Sequence, residues 1–427
     1  MEARQTGPNR GESAERKSEG VRKKKGRTTM IQFAENKQMQ PYLGSGYSYA
    51  ETAGVRNLHR QIPEFEQTPL GNLEALAAHF GIRALLIKDE SHRFGLKAFK
   101  GLGGIYAVFR ILCRELGLDP ESTTPEMLQK EPLRSIVRNM SFATTTDGNH
   151  GKGVSWAAKV FGCKAHVFMP VGSAEVRAQA IRDAGNAEVA ITRMHYDDCV
   201  AWTAKKADEM GWHLVQDTSW PGYEEVPGWI MQGYTTIYFE AIRQMNAMGL
   251  KAPTHLFLQA GVGSMAGSIA AAAVSEQKEN LPVIVTVESS EAACFFDSFQ
   301  RGNGQAAAAH GLEKTIMAGL NCSVPCTLAW DILGKCAAGG FACSDDVTCQ
   351  GMRRLAHPIG QDPVIVSGES GAVTTGLLEL LLTKETNRDL ARKLHLDQDS
   401  VVLLISTEGD TDPVNYRRIV NEQEVLE

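Results

Sequence analysis

The chain has 427 residues, which at about 100–200 residues per domain suits two or three packed units and excludes a peptide-sized scaffold. Hydrophobic residues make up 43% and charged residues 22%, so a large core is possible and global disorder is excluded, while no apolar run reaches the roughly 18 residues of a bilayer span. The net charge of −6 divides unevenly: residues 1–30 carry nine basic and four acidic side chains, leaving 35 against 46 in residues 31–427, so the body stands at −11 and is a poor binder of nucleic acid.

Residues 1–30 contain no aromatic residue and a single β-branched aliphatic one, Val21, too little apolar surface to offset chain entropy, so a disordered tail is predicted there. Its basic cluster at 22–27 reads either as a nuclear address or polyanion contact or, preferred here, as a solvated extension; Met30 is an alternative start. From about residue 80, short β-branched runs alternate with amphipathic or Ala-rich stretches, the pattern of an α/β protein with open, mostly parallel sheets flanked by helices. Strands are expected at 84–88, 141–145, 165–169, 188–192, 213–216, 255–259, 283–287, 364–367 and 401–405. Helices are expected around 98–116, 150–160, 174–184, 197–210, 229–248, 265–276, 371–383 and 388–393. The charged, turn-rich stretch 118–139 hints at a crossing into a second lobe. Nine cysteines are too sparse for a disulfide scaffold, and no apolar signal core precedes them, which predicts a reducing, cytoplasmic setting. Cys322 and Cys326 form a lone CxxxC with no second pair, so no metal site is expected.

Four segments combine small or polar residues with the end of an expected strand, where open α/β sheets hold ligands. In 88–101 a strand runs through a Gly-bearing turn to Lys100 at the head of a helix; the positive helix end favours a neutral amine fit for imine chemistry, although a lone lysine is usually a solvated one. In 144–151, hydroxyls, the Asn149 amide and free N–H groups converge on a helix N-terminus, a cradle for a carboxylate, with Asp147 equally readable as merely that helix's N-cap. In 259–267, Gly261, Gly263 and Gly267 open an Ala-rich helix and suit a phosphate, but close helix packing selects glycine too. The segment lacks the Gly-Lys-Ser/Thr of a triphosphate loop. In 402–410 a buried strand delivers Ser406 and Thr407, either of which could hydrogen-bond a heterocycle nitrogen or simply form a polar turn.

In that order, these four segments resemble the pyridoxal-phosphate enzymes of the tryptophan-synthase-β fold type. The wording from Asp89 through Lys100, Ala143 through Gly151, Gln216-Asp217-Thr218, Gln259 through Gly263, Ser367 through Ala372 and Ser406 through Asp412 is similar to the diaminopropionate ammonia-lyase family, over about residues 40–420. The resemblance implies a two-lobed fold with the cofactor between the lobes, a large cofactor domain from 31–105 and 215–427, and a small domain from 106–214. It implies that Lys100 holds pyridoxal 5'-phosphate covalently and that Gly261, Val262, Gly263, Ser264 and Met265 bind its phosphate. Asn149 would face the phenolic oxygen, Ser406 or Thr407 the pyridine nitrogen, and Glu369 would approach the cofactor. Thr146, Asp147, His150 and Asp217 would meet the substrate. Asp147 and Asp217 would be the two proton-abstracting carboxylates, one for each substrate enantiomer, with their pKa values raised by desolvation.

The reaction so implied is α,β-elimination of D- and L-2,3-diaminopropionate to pyruvate and two ammonia by a homodimeric carbon-nitrogen lyase. The alternatives are a serine/threonine dehydratase-like or threonine-synthase-like enzyme on the same fold, and a non-catalytic pyridoxal-phosphate-binding regulatory protein. Asp147, where dehydratases of the group carry an uncharged residue, weighs against the first.

Overall fold

The computed structural model describes residues 31–42, 45–311 and 314–422, so the basic tail and Met30 lie outside the described residues. Among the described residues eleven strands run in chain order as β1 (Ile31–Glu35), β2 (Leu70–Asn72), β3 (Ala84–Asp89), β4 (Ser141–Thr145), β5 (Lys164–Met169), β6 (Glu188–Ile191), β7 (His213–Leu214), β8 (His255–Gln259), β9 (Val283–Ser289), β10 (Gly339–Cys343) and β11 (Val401–Ser406). They form a seven-stranded sheet ordered β1-β10-β9-β8-β11-β3-β2 and a four-stranded sheet ordered β6-β5-β4-β7. Only the edges β1 and β2 pair antiparallel; every other pairing is parallel.

The central strands are wholly buried, as in Leu85-Leu86-Ile87 of β3 and Val402-Leu403-Leu404-Ile405 of β11, because helices cover both faces of a parallel sheet and leave no solvated side for polar alternation. Helix Gly101–Leu116 packs against Glu225–Ala247 beside the large sheet and against Asn149–Phe161 beside the small one. It therefore joins the two layers. Gly103 and Gly104 permit these approaches: a Cβ on Gly103 would stand 2.7 Å from Ile230, and one on Gly104 would stand 3.2 Å from the Gly153 carbonyl.

A buried ion network pins β3 to helix Glu225–Ala247. Lys88 Nζ meets Glu240 Oε2 at 2.8 Å, and Arg93 reaches both Glu240 at 2.7 Å and Glu90 at 2.8 Å. Two cations face two anions, so no net charge is buried.

Several expectations need correction. Residues 364–367 form no strand: Val364 and Val366 face solvent while Ile365 and Ser367 are buried, an alternation that mimics a strand along an extended loop. β1, β2 and β10 were not expected, since two are short edges and β10 opens with Gly339-Gly340, which weakens a strand signal. The stretch 118–139 carries two short helices, Pro125–Leu128 and Leu133–Val137. The first long helix starts at Gly101, not 98. Among the described residues no helix is long and apolar enough to cross a membrane.

Candidate active site

The carboxyl ends of β3, β4, β8 and β11 open on one cleft of about 750 Å³, solvent mouth included, and the four sequence segments meet there. Lys100, Thr146, Asp147, Asn149, His150, Thr407 and the stretch from Gly261 to Met265 all line it. Asp217 is 3% exposed and stands one layer behind, its carboxylate ion-paired with the Lys100 amine. Two further residues named from the sequence are likewise not brought to the wall. Glu369 turns toward Asn415, whose amide donates to its carboxylate, and Ser370 lines the cleft in its place. Ser406 donates to Ser367 Oγ at 2.9 Å. Successive side chains of a strand point to opposite faces, so where Ser406 faces Ser367, Thr407 faces the cleft.

Lys100 precedes helix Gly101–Leu116. Contrary to the lowering expected at a positive helix end, its pKa is raised: burial pulls it down, but the Asp217 carboxylate more than compensates. The two aspartates differ. Burial pushes Asp147 up to about 7, against the pull of Arg177. At Asp217 burial also pushes upward, yet His150 and Lys100 outweigh it and leave the carboxyl below its ordinary value. The expected upward shift therefore holds for Asp147 and fails for Asp217, because Lys100 ion-pairs with the Asp217 carboxylate whereas Arg177 reaches Asp147 only at its backbone carbonyl.

Asp147 is also not the helix cap. Gly148 occupies that position for Asn149–Phe161, and the Thr146 hydroxyl accepts from the N–H groups of Gly148 at 2.9 Å and Gly151 at 3.0 Å. The Asp147 carboxyl is thereby left free of the cap. His150 Nε2 lies 2.7 Å from the Val215 carbonyl, which only accepts, so Nε2 carries the proton. Its Nδ1 is buried without a hydrogen-bond partner, 3.6 Å from Asp217 Oδ2. Burial holds the ring's pKa below its ordinary value. Gln216 Oε1 accepts from the Thr145 N–H at 2.9 Å, tying the Asp147 loop to the Asp217 loop.

Glu408 lines the cleft and was quoted in the sequence motif without a role. Its carboxylate accepts from Asn149 Nδ2 at 2.5 Å and from the Ser370 N–H at 3.1 Å, joining helix Asn149–Phe161 to helix Glu369–Thr383. Phe99, Arg177, Tyr196 and Cys322 also belong to the wall. Phe99 lies inside the Lys100 segment and Cys322 in the CxxxC, though neither was given a role, whereas no local signal in the sequence marked Arg177 or Tyr196.

The glycine loop, on the same cleft wall, forms an anion cradle. Gly263 caps helix Ser264–Glu276 at φ +90°, and a Cβ on Gly261 would lie 2.8 Å from the Gly319 carbonyl. Among the described residues, no backbone N–H from Gly261 to Met265 is spent on a backbone carbonyl, so free donors point from a positive helix end into the cleft. Ser264 Oγ donates to the Asp217 carbonyl at 2.5 Å, so the cradle is a backbone one.

An amine-bearing cleft facing an anion cradle, at the carboxyl ends of parallel strands, has the chemistry to hold an aldehyde cofactor that carries a phosphate, and a family model described as pyridoxal-phosphate dependent enzyme matches residues 62–407. Diaminopropionate ammonia-lyase of Escherichia coli strain K12 is 46% identical over 393 residues, 92% of this chain and 96% of its own length. The enzyme of that name from Salmonella typhimurium is 43% identical over 397 residues, 92% of this chain and 98% of its own. The crystal structure of the holo diaminopropionate ammonia lyase from Escherichia coli matches with a TM-score of 0.85 at 43% identity, over 92% of this chain and 97% of that one. The chain belongs to the diaminopropionate ammonia-lyase family of pyridoxal-phosphate-dependent enzymes.

Proposed function

We propose that the protein eliminates ammonia from D- and L-2,3-diaminopropionate, so that one substrate and one water give one pyruvate and two ammonia. The observation that carries this reading is a lysine on the wall of one cleft with Asp147 on the same wall and Asp217 in contact behind it, the two aspartates shifted in opposite directions. Pyridoxal phosphate, when bound, supplies the electron-withdrawing ring that acidifies the substrate's Cα–H. Lys100 would hold it, the N–H groups of Gly261 to Met265 would take its phosphate, Asn149 would meet its phenolic oxygen and Thr407 its ring nitrogen. Asp147 accepts the α-proton of the D substrate and pairs with a substrate ammonium, as a neutral residue would not. Asp217, in contact with the Lys100 amine, serves the L substrate and passes the proton between carboxylate and amine.

The same reading takes the enzyme as a homodimer of the reducing cytoplasm, supported by nine cysteines that are all free thiols. It divides the chain into a large cofactor domain of 31–105 and 215–427 and a small domain of 106–214, supported by the confinement of the four-stranded sheet to β4–β7. The test is pyruvate release by the holoenzyme from both diaminopropionate enantiomers, with serine and threonine alongside. Rapid release from both enantiomers and little from the hydroxy amino acids is expected. Release from serine alone would refute the lyase and make the protein a dehydratase.

A further inference from the structure

Helices Ala53–Arg60 and Glu225–Ala247 border a second cavity of about 940 Å³, solvent mouth included. Arg56, Arg60 and Arg243 converge on it, and their hydrogen-bond partners are neutral. Arg56 donates to Thr52 Oγ1 at 2.9 Å and to the Tyr49 carbonyl, Arg60 to Asn57 Oδ1 at 3.5 Å, and Arg243 to Gln67 Oε1. Arg56 is 7% exposed, its guanidinium 3.7 Å from the centre of the Tyr49 ring and 5.1 Å from that of Phe239. Two carboxylates also line the cavity. Glu240 is committed to Lys88 and Arg93, and Glu276 accepts from the Tyr49 N–H at 2.7 Å.

Among the described residues none of the three guanidinium groups contacts a carboxylate; Arg60 and Arg243 are exposed, but Arg56 is more than nine-tenths buried, and a buried cation without a paired anion is costly. An anion in the cavity would relieve that cost. Guanidinium forks match the geometry of a phosphoryl group, and Phe65, Tyr238 and Phe239 give the same wall an aromatic, apolar part. We propose that this cavity is a binding site for an organic phosphate, its phosphoryl group held by Arg60 and Arg243 with Arg56 behind them, and its ring packed on Phe65 and Phe239. The site is separate from the elimination chemistry, so its failure would leave the proposed reaction standing.

The probe is phenyl phosphate, titrated calorimetrically into the holoenzyme, whose own phosphate cradle is filled, with inorganic phosphate in parallel. The comparison protein is the Arg60→Gln/Arg243→Gln double variant, both residues being exposed, with its elimination rate as the check on folding. Saturable binding of phenyl phosphate, tighter than that of inorganic phosphate and weakened about tenfold or more in the variant at unchanged elimination rate, is expected. Equal affinity in both proteins, equal affinity for the two phosphates, or no binding up to about 10 mM would overturn the proposal. So would a native dimer that falls apart in the variant while phenyl phosphate fails to bind, since the occupant would then be a second copy of the chain.

Discussion

Asp147 on the cleft wall and Asp217 one layer behind it carry the same functional group, yet their surroundings shift them in opposite directions, because only Asp217 touches the Lys100 amine. A carboxyl accepts a proton only when ionised. Turnover of the D substrate should therefore fall as the pH drops through about 7, the value to which burial pushes Asp147, while turnover of the L substrate should persist to lower pH. Superimposable pH–rate profiles for the two enantiomers would refute the division of labour. Stability moves the other way. A carboxyl whose folded pKa lies above its unfolded value of about 3.9 takes up a proton on folding, so its contribution is fully present below the unfolded value and is lost as pH rises through about 7. Asp147→Asn should accordingly raise the melting temperature at pH 8 while depressing D turnover more than L; a melting temperature unchanged between native and variant at that pH would contradict it. Glu408 makes a prediction at the same scale. Its carboxylate orients the Asn149 amide, and a hydrogen bond to a charged group contributes roughly 1.5–3 kcal/mol, so Glu408→Ala should weaken pyridoxal-phosphate binding by about tenfold or more, read by fluorescence titration of the apoenzyme.

At the scale of the element, the strand-turn-helix units put chemistry at the carboxyl ends of strands, and the glycine loop is the most constrained of them. Gly263 has φ +90°, and a Cβ there would stand 2.3 Å from the Phe295 ring, so Gly263→Ala combines backbone strain with a collision. Loss of cofactor retention on gel filtration is expected, with far-UV circular dichroism close to native. The ion network between β3 and helix Glu225–Ala247 yields a second expectation. Glu240→Gln leaves Lys88 and Arg93 short of an anion in the interior, a change that costs about 3–5 kcal/mol, and urea unfolding should show a midpoint lowered accordingly. These elements were legible to different degrees. β3, β8 and β11 stand out as apolar runs because both faces are buried, whereas β10 begins with two glycines and the false strand at 364–367 alternates only because a loop happens to expose every second residue.

Across the whole molecule, every residue lining the cleft lies between Phe99 and Glu408. Removal of residues 1–29 takes none of them away, and the truncated protein should retain the turnover and cofactor content of the full chain; a loss of either would give the basic tail a part in the reaction. The sequence by itself determined the layer architecture, the four motifs and their order, because burial patterns and the special residues of turns are written locally. It also marked Lys100, Asp147, Asn149 and the glycine loop, each of which follows a strand that its own neighbours define. Only the tertiary structure decided that Thr407 rather than Ser406 faces the cleft, that Glu369 turns away to Asn415, that Glu408 ties two helices together, and that the two aspartates shift in opposite directions. Each of these outcomes depends on which distant groups come to lie within a few ångströms of one another. Contact and electrostatic coupling act through space, and spacing along the chain does not encode that distance.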